Sequence, residues 1–140
     1  MTNKKKKKYG GNIHYDIIFS INVHENINFF NKQVNNIKKF VKLKYLIIIN
    51  PSIKFYSIVS QYIKDKDNII INPNYFNKKR FHGTILKGIY ENMKYADKYS
   101  YNYFIILSSR NMFYNILNNT LQIEKTIINK NILTWWCKKF

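Results

Sequence analysis

Cysteine, proline and glycine are scarce in this sequence. It has one cysteine, two prolines and four glycines among its 140 residues. Because the single thiol, Cys137, cannot form a disulfide within the chain, we assign it no chemistry. Acidic side chains are scarce as well, with seven against 24 lysines and arginines, which gives a formal net charge of +17.

Long apolar runs are also missing. None approaches the roughly 18 consecutive apolar residues that a membrane-spanning helix requires. The first residues lack the apolar segment of a signal peptide. We therefore expect a soluble, intracellular protein without a transmembrane segment.

The scarcity of glycine argues against two common nucleotide-binding loops. A dinucleotide site needs a glycine-rich turn after its first strand, because the backbone must approach the pyrophosphate closely. His24-Glu25-Asn26, which follows the first apolar run, contains no glycine. The glycine-rich lysine loop of many nucleotide hydrolases is absent too, so we do not expect phosphoryl transfer by that route.

What the chain does contain is enough apolar material for a packed core. Apolar residues make up 46% of the sequence and aromatic residues 17%. Lys4–Lys8 form a block of like charges that repel one another, so we expect residues 1–12 to be a disordered basic tail. Residues 13–140 are expected to form a single α/β domain.

Four short apolar runs predict strands that are buried on both faces, as in a parallel sheet covered by helices. These runs are Tyr15–Val23, Tyr45–Ile49, Asn68–Ile71 and Tyr103–Leu107. Between them, apolar residues recur at spacings of three and four, which predicts helices. Since crossover connections are right-handed, this alternation predicts a Rossmann-like three-layer α/β/α fold with a parallel sheet in the order 3-2-1-4.

The predicted helices begin near polar residues that can cap them. Their expected positions are Asn26 or Asn28 to about Lys42, a second helix after Ser52, a third over Thr84–Tyr99, and a last one from near Met112 through Ile127.

Polar side chains follow all four predicted strands at their carboxyl ends, and those after strands 1, 2 and 4 are considered as ligand-binding residues. In open α/β sheets ligands bind beyond these ends, at the point where the strand order reverses. The order 3-2-1-4 puts that point between strands 1 and 4. The candidate ligand-binding residues are His24, Glu25, Asn50, Ser108, Ser109, Arg110 and Asn111. The alternative is that residues 108–111 are only a turn with helix-capping side chains.

The histidines and the acidic residues do not predict a metal site. His14, His24 and His82 fall in unrelated elements without the spacing of metal ligands. Asp65-Lys66-Asp67 lies between the second helix and the third strand, at the amino edge of the sheet and away from the expected ligand. We therefore expect neither a metal ion nor a cofactor.

Three segments resemble a known enzyme family. Val23-His24-Glu25, Tyr45–Asn50 and above all Tyr103–Phe113 are similar to short motifs of the core-2/I-branching β-1,6-N-acetylglucosaminyltransferases and the related xylosyltransferases. The resemblance extends over most of residues 15–115. It implies a GT-A nucleotide-sugar fold and metal-independent, inverting transfer from a UDP-sugar such as UDP-N-acetylglucosamine to a glycan or protein acceptor. Residue by residue, it reaches His24, Asn50 and Ser108.

The sequence also departs from that family. Ser109 and Asn111 stand where the family has Gly and Asp, Phe113 stands where it has Pro, and Asn50 replaces an acidic residue. The family's catalytic glutamate and its phosphate-binding basic residues lie in a C-terminal half that residues 1–140 do not match. The resemblance therefore supplies no catalytic base and implies a truncated or inactive relative.

The charge leaves a second hypothesis open. Lys78-Lys79-Arg80, the N-terminal lysines and the rings of Tyr75 and Phe76 are typical of a non-enzymatic basic module that binds nucleic acid or another polyanion. The two hypotheses differ in salt dependence. Affinity for a polyanion should fall steeply with salt, whereas binding in a nucleotide pocket should fall much less.

Overall fold

The computed structural model describes residues 13–79, 83–108 and 110–129, with the side chains of 126–129 left aside. The predictions for the basic tail, Arg80, His82, Ser109 and Cys137 fall outside these ranges. The elements run in the order β1 (His14–Val23), α1 (Ile27–Phe40), β2 (Tyr45–Pro51), α2 (Ile53–Ile63), β3 (Ile69–Ile71), α3 (Thr84–Ala96), β4 (Ser100–Leu107) and α4 (Leu121–Asn129).

The four strands form one parallel sheet in the order β3-β2-β1-β4, which confirms the predicted topology. Ile21 of β1 lies opposite Ile49 of β2 on one side and Leu107 of β4 on the other. The carboxyl ends of these three strands therefore lie close together, and we call this border the carboxyl edge of the sheet.

The sheet lies between two layers of helix, which makes the fold Rossmann-like. Ile17, Phe19 and Ile21 of β1 share a buried cluster with residues of α1 and α2. Ile18, on the opposite face of β1, clusters with Leu46 and Ile48 of β2 and with Ala96 of α3. Alternate residues of one strand thus face different helices, which explains why its sequence is apolar without a break.

The capping residues of the first two helices lie where the sequence predicts them. The Asn26 side chain accepts a hydrogen bond from the backbone N–H of Asn28 at 2.8 Å, as expected of an N-cap. Ser52 precedes α2 but makes no capping bond. Its hydroxyl accepts instead from the backbone N–H of Lys78 at 3.1 Å, which ties the loop after β3 to the start of α2.

The prediction that the fourth strand is buried on both faces is wrong. β4 is an edge strand, and Ile106 keeps 47% of its surface exposed. Tyr103, Ile105 and Leu107 pack against the cluster that contains α1. On the opposite face, Phe104 packs against the cluster that contains Ala96 of α3. The apolar run of β4 is therefore only partly buried, and Ile106 is left exposed.

The predicted start of the last helix near Met112 is also wrong, because α4 begins at Leu121. The preceding segment runs irregularly along α1. Leu117 forms a parallel bridge with Val41, and Asn36 bonds the backbone N–H and C=O of Phe113 at 2.7 and 2.8 Å. These long-range contacts, rather than local helix periodicity, decide the path of the chain.

No helix within the described ranges is long and apolar enough to cross a membrane.

Candidate functional site

The polar residues that follow β1 and β4 meet at the carboxyl edge. The Glu25 carboxylate lies 3.6 Å from His24 Nε2 and 4.0 Å from an Arg110 guanidinium nitrogen. Arg110 is 77% exposed, and its guanidinium lies 5.9 Å from the centre of the Phe29 ring. Since exposed ion pairs contribute little to stability, Arg110 is held loosely and remains accessible to a ligand.

His24 is the more enclosed member of this group. Its side chain is 12% exposed, and its Nδ1 is buried. Burial lowers the pKa of His24, and Lys78 and Lys54 reinforce this effect, whereas Glu25 and a hydrogen bond with the Asn22 backbone oppose it. The imidazole is therefore mainly neutral at pH 7, so it offers one donor and one acceptor rather than a charge.

The turn after β4 is fixed by side chains of the chain itself. Asn111 Oδ1 accepts a hydrogen bond from the backbone N–H of Ser108 at 2.8 Å. Gln33 of α1, which is 1% exposed, donates through Nε2 to the carbonyl oxygens of Ser108 and Asn111 at 2.6 and 3.0 Å. Asn111 and Gln33 thus shape the turn that carries Arg110. The side-chain contact of Asn111 therefore fits the alternative in which this residue shapes a turn rather than binding a ligand.

Replacing Gln33 with leucine should loosen this turn. The change leaves two carbonyl oxygens without their side-chain donor, so we expect the free energy of unfolding to fall by about 1–3 kcal/mol. Exchange of the Ser108 amide hydrogen should accelerate, which NMR can measure. Lys32→Leu, at an exposed position of the same helix, is the matched control. Equal amide exchange in both variants would contradict this role of Gln33.

Three asparagines form a row across the sheet on the face that α3 covers. Asn22 lies opposite Asn50 in the register of β1 and β2. Asn72 follows the last residue of β3, and its backbone N–H donates to the carbonyl of Ile49 at 2.8 Å. All three side chains are buried. Toward the carboxyl edge, the surface under α3 therefore changes from apolar to polar.

Asn92 of α3 connects this polar surface to the helix. It is fully buried, and its Nδ2 donates to Ser20 Oγ at 2.9 Å and to the carbonyl oxygen of Ile48 at 3.2 Å. Its Oδ1 accepts from Asn72 Nδ2 at 3.0 Å. Both the nitrogen and the oxygen of the Asn92 amide are therefore hydrogen-bonded to a strand or to the residue that follows it. These bonds fix the position of α3 on the sheet.

Lys78 enters the same polar region from the loop after β3. Its Nζ donates to Asn50 Oδ1 at 2.6 Å and lies 4.6 Å from the centre of the Phe76 ring. Burial lowers the pKa of the Lys78 ammonium to about 8. Within the described part of the chain, no carboxylate forms an ion pair with it. Lys78 is therefore a half-buried cation without a counter-ion.

A glycine makes room for Lys78 against α3. A Cβ placed on Gly88 would lie 2.8 Å from Lys78 Cε and 2.3 Å from Asn22 Oδ1. Both distances are shorter than ordinary carbon contacts permit. Gly88 therefore lets the lysine stem and the Asn22 amide pass between α3 and the sheet.

Asn50 was expected to face a ligand, and its contacts give it another role. Its Oδ1 accepts from Lys78, and its Nδ2 donates to the carbonyl oxygen of Asn74 at 3.2 Å. Both polar groups of the amide are thus engaged within the chain. Asn50 is placed to hold Lys78 at the carboxyl edge.

Sequence reasoning considered Lys78 only as part of a basic segment that could bind a polyanion, and it missed Gln33 and Asn92. The burial of Lys78 depends on α3, which follows it in sequence, and no local pattern around residue 78 signals this packing. A clearer signal existed for the asparagines. The repeated ending Ile-Ile-Ile-Asn-Pro places Asn50 and Asn72 at equivalent strand ends, and its recurrence indicates a shared position in the sheet.

A shallow depression of about 310 Å³ lies beside this region, between the loop after β3 and α3. Its lining residues are Asn74, Tyr75, Phe76, Lys87, Glu91 and Lys94. Asn74 donates to the Glu91 carboxylate at 3.0 Å and holds the pKa of that group below its usual value. An ionised, paired carboxylate is a poor proton acceptor, so Glu91 is not placed as a general base.

Among the residues that the structure describes, no three His, Cys, Asp or Glu side chains are grouped so that they could hold a metal ion.

No protein-family model matches the sequence, and a comparison with curated proteins finds no match.

Proposed function

We propose that this chain is a glycosyltransferase-like domain that binds a UDP-sugar, of the UDP-N-acetylglucosamine type, at the carboxyl edge of its sheet. The observation that carries the proposal is the meeting of His24, Glu25 and Arg110 beyond the ends of β1 and β4. This is the switch point of the strand order, where α/β folds bind nucleotides. The motif resemblance described above adds the sugar nucleotide as the ligand class.

The electrostatic character of the carboxyl edge suits an anionic ligand. Arg110 is exposed, and a guanidinium can form paired hydrogen bonds with phosphate oxygens. Its ion pair with Glu25, at 4.0 Å, is long and easily exchanged for a phosphate. In this proposal no metal ion is required, because side chains neutralise the diphosphate.

Sugar transfer needs more than donor binding. An inverting transferase requires a carboxylate base that removes the proton of the acceptor hydroxyl. Glu25 is the carboxylate at this edge, but it contacts His24 and Arg110 and lies on the donor side of the resembling family. We therefore propose donor binding for this chain and expect weak binding without turnover.

Titration calorimetry with UDP and UDP-N-acetylglucosamine, with and without Mn²⁺, tests the proposal. We expect metal-independent binding, and Arg110→Ala should weaken it by about tenfold through the loss of a charge-assisted hydrogen bond. Lys98→Ala, at an exposed lysine beyond the end of α3, is the control and should bind like the native chain.

Three results would count against this assignment. Strictly Mn²⁺-dependent binding would exclude the metal-free arrangement, and no binding at millimolar ligand would remove the nucleotide-sugar. Unchanged binding in Arg110→Ala would take that residue out of the site.

Binding to a polyanion is the second candidate function. It is favoured by lysines that lie against exposed or half-exposed rings, such as Lys87 at 4.8 Å from Phe76 and Lys94 at 5.2 Å from Tyr90. Rings and cations alternating on one surface can stack and neutralise a single-stranded nucleic acid. Steep loss of affinity for an oligonucleotide with rising salt, without any affinity for UDP, would favour this function.

A further inference from the structure

Lys78 is a half-buried cation that forms no ion pair with a carboxylate among the described residues. Burying an ammonium group costs free energy unless an opposite charge or several acceptors replace its water. Its Nζ donates to one amide oxygen, Asn50 Oδ1 at 2.6 Å, and to the carbonyl oxygen of Phe76 at 3.4 Å. A bound anion would supply the missing charge.

The contacts of Lys78 hold its side chain in one position. Its charge is close enough to His24 to lower the pKa of that imidazole. Asn50 and the Ser52 hydroxyl fix the side chain and backbone of Lys78, respectively. Gly88 leaves space for the lysine stem. The ammonium is thus held in place by several independent elements, as expected of a binding group rather than a solvated side chain.

We infer that Lys78 forms an anion subsite that takes a phosphate or diphosphate group at the carboxyl ends of β1 and β2. The inference relies on the proposed function only for the molecule that carries the phosphate. It adds a cation that the sequence placed outside the site. It also gives the buried Asn50 a purpose, since its Oδ1 holds the ammonium.

Calorimetric titration of inorganic pyrophosphate and of UDP into the full chain, at pH 7 and fixed ionic strength, tests this subsite. Lys78→Met should weaken both ligands by at least about tenfold, because a charge-assisted hydrogen bond to phosphate is lost. Lys87→Met is the matched control, since Lys87 lies against the same Phe76 ring but is exposed. Its loss should change affinity by no more than about twofold.

The outcomes separate this inference from the proposed function. If pyrophosphate binding depends on Lys78 and UDP binds no more tightly than pyrophosphate, the subsite is upheld and the nucleotide-sugar is rejected. UDP binding that Lys78→Met leaves unchanged would reject the subsite and retain the nucleotide-sugar. Equal losses in Lys78→Met and Lys87→Met would reject the subsite in favour of diffuse surface charge.

A measurement on the native chain covers the case in which Lys78→Met does not fold. NMR can follow the titration of the Lys78 side chain with and without pyrophosphate. A phosphate bound to the ammonium should raise the pKa of Lys78 by at least about one unit, since an opposite charge favours the protonated form. An unchanged titration curve at saturating pyrophosphate would contradict the inference.

Discussion

Replacing Asn92 with leucine is expected to lower the free energy of unfolding by about 2–5 kcal/mol, because it leaves several buried polar groups without a partner. Leucine keeps the branching of asparagine but is bulkier, so overpacking at this buried position adds to the loss of hydrogen bonds. The groups affected are the Asn72 amide, the Ser20 hydroxyl and the Ile48 carbonyl oxygen. Urea denaturation of the native chain and the variant gives the difference directly.

Asn35→Leu is the matched control, since Asn35 lies at an exposed position of α1. A surface change of this kind should alter stability by about 0.5 kcal/mol or less. If Asn92→Leu had an effect as small as Asn35→Leu, the polar contacts beneath α3 would not be what positions this helix.

Raising the pH from 7 to 9.5 is expected to stabilise the native chain by about 1–2 kcal/mol relative to Lys78→Met, because solvent screens part of the charge of this half-buried group. The pKa of Lys78 is about 8 in the folded chain against an ordinary value of 10.5. Between these values the unfolded chain binds more protons than the folded chain, so stability rises with pH. Below pH 8 both states are protonated, and the full cost of burying the charge is present.

Comparing the two proteins isolates this effect, because their other lysines are the same. The pKa of His24, which interacts with Lys78, is lowered from 6.5, so His24 titrates below the pH range used. Lys87, which shares the Phe76 ring, is present in both proteins. Parallel stability curves for the native chain and Lys78→Met would show that the Lys78 ammonium is not buried at a cost.

The architecture was predictable because each of its determinants is local. The apolar run of β1 fits a strand with helices on both faces, and Asn26 is a capping residue directly before a helical repeat. Right-handed crossovers then leave few strand orders open. The prediction of a helix failed for Met112–Thr120, where Leu117 forms a bridge with Val41, a residue far away in sequence. Helical periodicity in a sequence carries no information about such a contact.

The candidate site was predictable only in part. Strand ends can be located from sequence, so His24, Glu25 and Arg110 could be placed together before their distances were known. Which polar groups remain available depends on packing. The Asn111 side chain is hydrogen-bonded within its own turn, and the Asn50 side chain accepts from Lys78. Lys78 itself packs at the carboxyl edge because α3 leaves room for its stem at Gly88. These roles depend on contacts between residues far apart in sequence.

Mapping UDP onto the chain by amide chemical-shift changes in NMR shows whether an anionic nucleotide binds at the carboxyl edge. If it does, the largest changes should fall at His24, Glu25, Lys78 and Ser108 and should persist at about 150 mM salt, where diffuse surface attraction is screened. Changes centred on Tyr90–Lys94 of α3, or spread over the exposed lysines and lost with salt, would contradict binding at this edge.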